Sequence, residues 1–519
     1  PISSTPRTFV MLSKISPSSA ARGIRNFNTK IFEKKTVSLA DRTETIVVGG
    51  RDKFHLLPQA FEGVKQIGVL GWSSQGPAQA MNLRDSLEGT GIKVSVGLRE
   101  GSASMEKAAA AGFSRDDGTL GEMYDVASKS DMTLLLISDA AQANTYPKLF
   151  QHLKKGSTLG LSHGFLLGIL NNRGEKFPDG VDAVAVCPKG MGPSVRRLYE
   201  QGKSVNGAGI NCSFAVEQNA TGMAVERALG WGVGIGAPFI FETTMRDEYV
   251  SDIFGERSVL LGAVHGIVEF LFRHFVANGA SKEDAFKRTA ESITGPITQM
   301  VSHNGLLSVY DSFEGAEKRE FEVAYSAAYH PLMEVLMEIY DDVKSGRELD
   351  SVIDAVSRHG QYPMTTIDDT QTWRVGETVR AARTSAQRPV CPTTAGVYLA
   401  CMQAQADLLI ANGHSYSEVA NESIIEAVDS LNPYVDFRGI AYMIDNCSIV
   451  ARLGARKWAP RFDYLLMQQA GPKLEKGEVD EGLITAFKEN KLHQIMSVCA
   501  ALRPSVDISP VAGQHGVRD

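Results

Sequence analysis

At 519 residues the chain is too long for one ordinary domain, so two to four domains or a duplicated one are expected. With 43% hydrophobic and 22% charged residues it has ample material for cores, and a net charge of -7 without a basic stripe argues against nucleic acid and for small-molecule partners. Six scattered cysteines, with no C-x-x-C pair and no zinc-like His/Cys spacing, read as free thiols.

The first 30 residues, "PISSTPRTFVMLSKISPSSAARGIRNFNTK", are rich in Ser, carry Arg7, Lys14, Arg22 and Arg25, and contain no acid. That is the composition of an organelle transit peptide, and the segment is set apart from the fold. Five short apolar runs follow: "QIGVLG" (66–71), "KVSVGL" (93–98), "TLLLIS" (133–138), "STLGLSH" (157–163) and "DAVAVCP" (182–188). Separated by helix-length stretches, they predict a parallel sheet of doubly wound, Rossmann-like type over 31–243. Runs of this length are far short of a membrane span, so no membrane partner is expected.

The turn after the first run reads Gly71-Trp72-Ser73-Ser74-Gln75-Gly76. A dinucleotide fold needs glycines here so that its backbone can approach the pyrophosphate at a helix N-terminus. The first and third are present, and Ser73 stands in place of the second. The next run ends in "LREGSAS", so Arg99, Ser102 and Ser104 sit at a strand tip where an NAD site would carry an acid for the ribose hydroxyl. An arginine with two hydroxyls suits a phosphate dianion, which favours NADPH over NADH.

From about 244 the strand-like runs give way to long apolar stretches such as "SVLLGAVHGIVEFLFRHFVANG", which predict a helical domain over 244–519. "ANGASKEDAF" at 277 and "ANGHSYSEVA" at 411 indicate an internal duplication at an offset of 134 residues. Just before the first apolar helix, Glu248, Asp252 and Glu256 lie four apart and share one helix face. In the second copy Glu422 and Glu426 repeat that spacing. Shifted by 134, those two fall on Arg288 and Ser292, while Asp252 and Glu256 fall on Ala386 and Val390, so each copy keeps half of an acidic set. Two pairs of carboxylates in apolar surroundings suit a hard divalent cation such as Mg²⁺.

The motifs "GLSHGF" (160–165), "VCPKGMGPSVRRLYEQGKSVNGAGI" (186–210), "SDIFGERSVLLGAVHG" (251–266), "YSEVANESIIEAVDSLNP" (416–433) and "DNCSIVARLGARKWAPRFDY" (445–464) resemble ketol-acid reductoisomerase, the acetohydroxyacid isomeroreductase, in its long plant-type form. The resemblance spans about 32 to 510. It implies Mg²⁺-dependent migration of a methyl or ethyl group in 2-acetolactate or 2-aceto-2-hydroxybutyrate, both 2-hydroxy-3-keto acids. NADPH reduction to the 2,3-dihydroxy-3-alkyl acid follows, in valine, leucine and isoleucine biosynthesis. It further implies two metal ions held by Asp252, Glu256, Glu422 and Glu426, with Asp252 bridging them. His163, Lys189, Glu248 and Glu426 are the implied catalytic residues, and Ser448 the substrate contact. The implied cofactor set is Gly71, Ser73, Ser74, Gln75, Gly76, Arg99, Ser102, Ser104 and Ser138. Ser73 departs from the glycine usual in the family, which touches the pose of the cofactor and not its identity. A plastid location, with the mitochondrion as the alternative, and a homodimer or larger assembly through the helical domain complete the expectation.

Overall fold

The computed structural model describes residues 27–383 and 388–510. Most of the transit-peptide-like segment, up to residue 26, therefore lies outside the described residues, as does Ala386. Phe27 already packs edge-on against Phe214, and the Thr29 hydroxyl and the Lys30 amide both donate to Glu226 at 2.6 Å.

Among the described residues ten strands form one sheet: β1 (Lys34–Leu39), β2 (Arg42–Val48), β3 (Gln66–Leu70), β4 (Lys93–Leu98), β5 (Leu120–Glu122), β6 (Met132–Leu135), β7 (Thr158–Leu161), β8 (Asp182–Pro188), β9 (Cys212–Gln218) and β10 (Phe239–Glu242). Their order is β1-β2-β10-β9-β8-β7-β6-β3-β4-β5. The six strands from β5 to β8 pair in parallel, and the order reverses between β3 and β6, opening a crevice at their carboxyl ends. β9 turns antiparallel to β8, β10 runs parallel to β9, and the β1–β2 hairpin closes that edge.

The five expected strands are all present, because their apolar runs are buried on both faces. β8, for example, is buried at all seven positions, its one charge Asp182 being met by Thr158, Thr221 and Arg227. The other five strands were not foreseen. β5 has only three residues, and "KKTVSL" and "RTETIVV" keep their polar side chains exposed along the outer edge.

Beyond β10 every regular element among the described residues is helical, and the 134-residue repeat extends through much of the series, although Met245–Arg257 and Gln371–Ala381 have no counterpart. Lys282–Phe286 answers Tyr416–Ala420, each capped by a serine, Ser281 or Ser415, that accepts from the amide three residues on. Two π-helical turns follow in each copy, Lys287–Glu291 and Ile293–Ile297 against Asn421–Ile425 and Ala427–Leu431. Thr298–Asn304 then answers Asn432–Arg438, and Leu306–Asp311 answers Ile440–Asp445. The copies interlock: Gly315–Lys344 packs along Pro392–Ala411, and Gly262–Ala277 along Ile449–Leu465. Where they meet, Asn432 donates to the Thr298 hydroxyl, its counterpart one repeat earlier, at 2.9 Å.

One stretch, Met245–Ala277, is after all long and apolar enough for a membrane span by length and composition, contrary to the sequence reading. In the fold 83% of its most apolar window is buried inside the protein, and the chain breaks it into Met245–Arg257 and Gly262–Ala277. It is a core segment.

Candidate active site

The Met245–Arg257 helix starts at Thr244, whose hydroxyl accepts from the Asp247 amide, and it carries Glu248, Asp252 and Glu256 toward the sheet crevice. Glu248 is fully buried and accepts from the Gly164 amide at 2.7 Å just beyond β7. His163 Nδ1 lies 3.2 Å from both Glu248 and Asp252. Lys189, the residue after β8, sits with its ammonium 3.4 Å from Glu248 and in direct contact with Glu422. Sheet ends and helical domain thus converge on one polar cluster.

Glu422 arrives on the first π-turn of the second copy and Glu426 at the junction between the two, where an ordinary α-helix was expected. A π-helix turns more slowly than an α-helix, yet four residues still bring the two acids close to one side. The first copy has the same winding around Arg288 and Ser292, so it belongs to the repeat and does not depend on the acids. Ligand oxygens of Asp252, Glu422 and Glu426 lie within 4.8 Å of one another, as do ligand atoms of His163, Glu248 and Asp252. Glu256 stands one turn from Asp252 and pairs with the buried Arg257 at 2.8 Å.

Burial and the neighbouring Asp252 charge push Glu256 up to about 8; burial pushes Glu422 to a similar value against the pull of Lys189, and pushes Glu426 well above the ordinary range with help from Glu422. Burial also raises Asp252. Glu248 goes the other way: although buried, it is held at about 2 by His163 and Lys189. Conversely, the acids hold His163 and Lys189 above their ordinary values despite burial. Lys189, His163 and Arg257 therefore offset only part of the negative charge. The buried Oε2 atoms of Glu422 and Glu426 have no hydrogen-bond partner among the described residues. An all-oxygen donor set short of positive charge, with orphaned carboxylate oxygens, fits hard divalent cations of the Mg²⁺ type.

Asp252, Glu256 and Glu426 open onto a cavity of about 340 Å³ that runs to the crevice and is lined by Ser73, Ser74, Gln75, Ser138, His163 and Ser448, among others, while Glu422 and Glu248 are buried behind its wall. A larger cleft of about 490 Å³, beside Ser351, Arg358 and Tyr362, holds neither of the two clusters of potential metal ligands. At the crevice Gly71 has φ +114°, and a β-carbon there would come within 2.5 Å of the Leu136 carbonyl oxygen. Gly76 closes the turn against Gly71, and Gln75 donates to the Gly190 carbonyl at 2.8 Å, tying the turn to the Lys189 loop. Ser448 caps the Ile449–Leu465 helix, accepting from the Ala451 amide at 3.0 Å while facing the cavity.

Arg99, Ser102 and Ser104 are not part of the cavity wall. They lie one strand over, past the end of β4, with Arg99 exposed and the Ser104 amide donating to Ser102. That is the rim position at which the adenosine end of a dinucleotide extends across the second strand. Several cavity residues were not anticipated: Asp139, Gln142, Cys447 and Arg452. Asp139 is buried and pushed by that burial up to about 6. Its sequence signal was an acid directly after the third apolar run, a place that reads equally as a favourable helix start.

Comparison with known proteins accords with this geometry. Residues 62–238 match the acetohydroxy acid isomeroreductase NADPH-binding domain, and residues 245–385 match the ketol-acid reductoisomerase C-terminal domain. The chain is 55% identical to a chloroplastic ketol-acid reductoisomerase of Pisum sativum over 95% of its own length and 87% of the relative's. It is 54% identical to that of Spinacia oleracea, over 95% and 84% respectively. A solved NADH-preferring ketol-acid reductoisomerase from an uncultured archaeon superposes with a TM-score of 0.54 at 25% identity, covering 65% of this chain and 99% of the other. By sequence along nearly its whole length and by fold, the chain belongs to the ketol-acid reductoisomerase family.

Proposed function

We propose that the chain converts 2-acetolactate or 2-aceto-2-hydroxybutyrate to the corresponding 2,3-dihydroxy-3-alkyl acid, with two Mg²⁺ ions and NADPH. The observation that carries this reading is the convergence of Asp252 and Glu256 with Glu422 and Glu426 beside the nucleotide crevice. An ordinary hydroxyacid dehydrogenase has no use for two acidic pairs. In this reading Asp252, Glu256, Glu422 and Glu426 hold the ions, and Arg99, Ser102 and Ser104 receive the 2′-phosphate. When bound, the ions supply Lewis acidity to the substrate's hydroxyl and carbonyl oxygens, and NADPH supplies hydride.

The protein side chains have separate tasks. Lys189, held between Glu248 and Glu422, keeps a proton at the rim of the acid cluster. Glu248 orients His163 by holding its ring and the following Gly164 amide together. Ser448, at the N-terminus of a 17-residue helix, offers a hydroxyl where the helix favours a substrate carboxylate. Leu260, Leu261, Leu431 and Ile449 line the same cavity and keep water from the reacting carbons.

The division into a leader (1–30), a nucleotide domain (31–243) and a duplicated helical domain (244–519) is part of the proposal. So are a plastid location, supported by the acid-free N-terminal composition and the chloroplastic relatives, and a homodimeric or larger assembly. The test is oxidation of NADPH with 2-acetolactate. Turnover that needs Mg²⁺ and stops on chelation is expected, and turnover indifferent to chelation would overturn the metal-dependent reading.

A further inference from the structure

The segment after the last helix, Leu492–Ala501, crosses back over the seam between the two parts of the molecule. Arg503 pairs with the buried Asp429, which also accepts from the Ser302 hydroxyl at 2.5 Å. Asp429 lies three residues past Glu426 on the same π-helical stretch. Further on, the carbonyls of Asp507 and Ile508 accept from the buried Arg197 at 2.6 and 2.8 Å, and Gln201 adds a bond to Asp507 at 2.7 Å. Between these ties Val506 packs on Ala78, Val195, Leu198 and Ile210 of the nucleotide part.

Arg197 and Gln201 sit on Gly192–Gln201, the helix that begins directly after the Lys189 loop. That loop is itself docked on the second copy: the Met191 amide donates to the Ser430 hydroxyl at 3.0 Å, and Ser194 donates to the Ser430 carbonyl. The contacts form a closed ring, from the Lys189 loop through Ser430 and Asp429 to Arg503, along 504–508 to Arg197, and back. A loop held at one side only can tilt; a ring fixes both sides.

We propose that residues 503–508 are a latch that sets the position of Lys189 against Glu422, with Arg197 and Arg503 as positioning residues. This rests on the assignment of Lys189 to the reaction. Arg197 and Gln201 hold the tail by its main-chain carbonyls, whereas Arg503 and Val506 hold it by their own side chains.

The test is kinetic, in the full chain. Arg197→Met should lower kcat for 2-acetolactate by about tenfold while KM and NADPH affinity, read by fluorescence titration, stay within about twofold, because a shift of a fraction of an ångström at a reacting group costs rate before binding. Arg197→Lys, whose ammonium can still donate to the carbonyls, should recover most of the loss. Gln201→Leu and Val506→Ser, which loosen the tail without removing a buried charge, keep the test open should Arg197→Met fail to fold. Each should lower kcat severalfold. Wild-type kcat in all folded variants, or a fall in NADPH affinity matching the fall in kcat, would overturn the latch. A wild-type enzyme without Mg²⁺-dependent turnover would instead overturn the functional reading on which it rests.

Discussion

Arg99 carries no work in the fold: it is exposed, past the end of β4, and its neighbours Ser102 and Ser104 offer hydroxyls. Its proposed role is therefore separable from stability. Arg99→Ala should weaken NADPH by about ten- to a hundredfold, the range of one charge-assisted contact of roughly 1.5 to 3 kcal/mol, and leave NADH almost unchanged. Equal weakening of both, measured by fluorescence titration, would show that the side chain acts on something other than the 2′-phosphate. The acids were legible in the sequence because four-residue spacing in an apolar context is unusual and readable without a structure. Asp139 was not, since nothing local separates a buried acid from an exposed one at a helix start. Only the sheet's reversal point, which depends on strand order, turns that position inward.

At the scale of elements, the duplication was visible from one short match, Ala-Asn-Gly-x-Ser, whereas its extent was not. Over 282–311 and 416–445 the copies keep their helix boundaries and π-turns while most of their residues differ, so similarity is retained in geometry where packing demands it and lost in sequence. The winding at Asn421–Ile425 was missed because a π-turn has the same apolar composition as an α-turn and differs only in how the backbone closes. Asp252 of one copy groups with Glu422 and Glu426 of the other, Glu256 lines the same cavity, and in the proposed reading one chain therefore supplies the whole acidic set. Mixing inactive Asp252→Asn chains with inactive Glu426→Gln chains should then restore no turnover, even after subunit exchange. Recovery of about a quarter to a half of wild-type activity, as expected for sites shared between two symmetric subunits, would contradict a within-chain site.

For the whole molecule, the acid cluster is expected to tie stability to pH and, in the proposed reading, to divalent cations. Glu256 and Glu422 are raised from 4.5 to about 8, so the fold favours their neutral forms. Their contribution is fully present below about 4.5 and is lost as pH rises toward 8. Glu248, held at about 2, contributes in the opposite sense: its share is present above 4.5 and is lost only as pH falls through 2. In chelator the thermal midpoint should accordingly fall between pH 5 and 8, and Mg²⁺, by binding the ionised acids, should remove that fall. A midpoint that ignores Mg²⁺ at pH 8 would mean that the cluster is neutralised by the protein alone.

In the proposed reaction, acids from both copies hold the ions together. Mn²⁺ can stand in for Mg²⁺ on oxygen ligands and be counted by its paramagnetic resonance signal in the wild type, Asp252→Asn and Glu426→Gln. Two ions per chain in the wild type, at least one lost in each variant, and NADPH affinity unchanged within about twofold in all three are predicted, since a lost carboxylate ligand costs the metal and not the distant phosphates. Two ions bound with wild-type affinity in both variants would contradict the account.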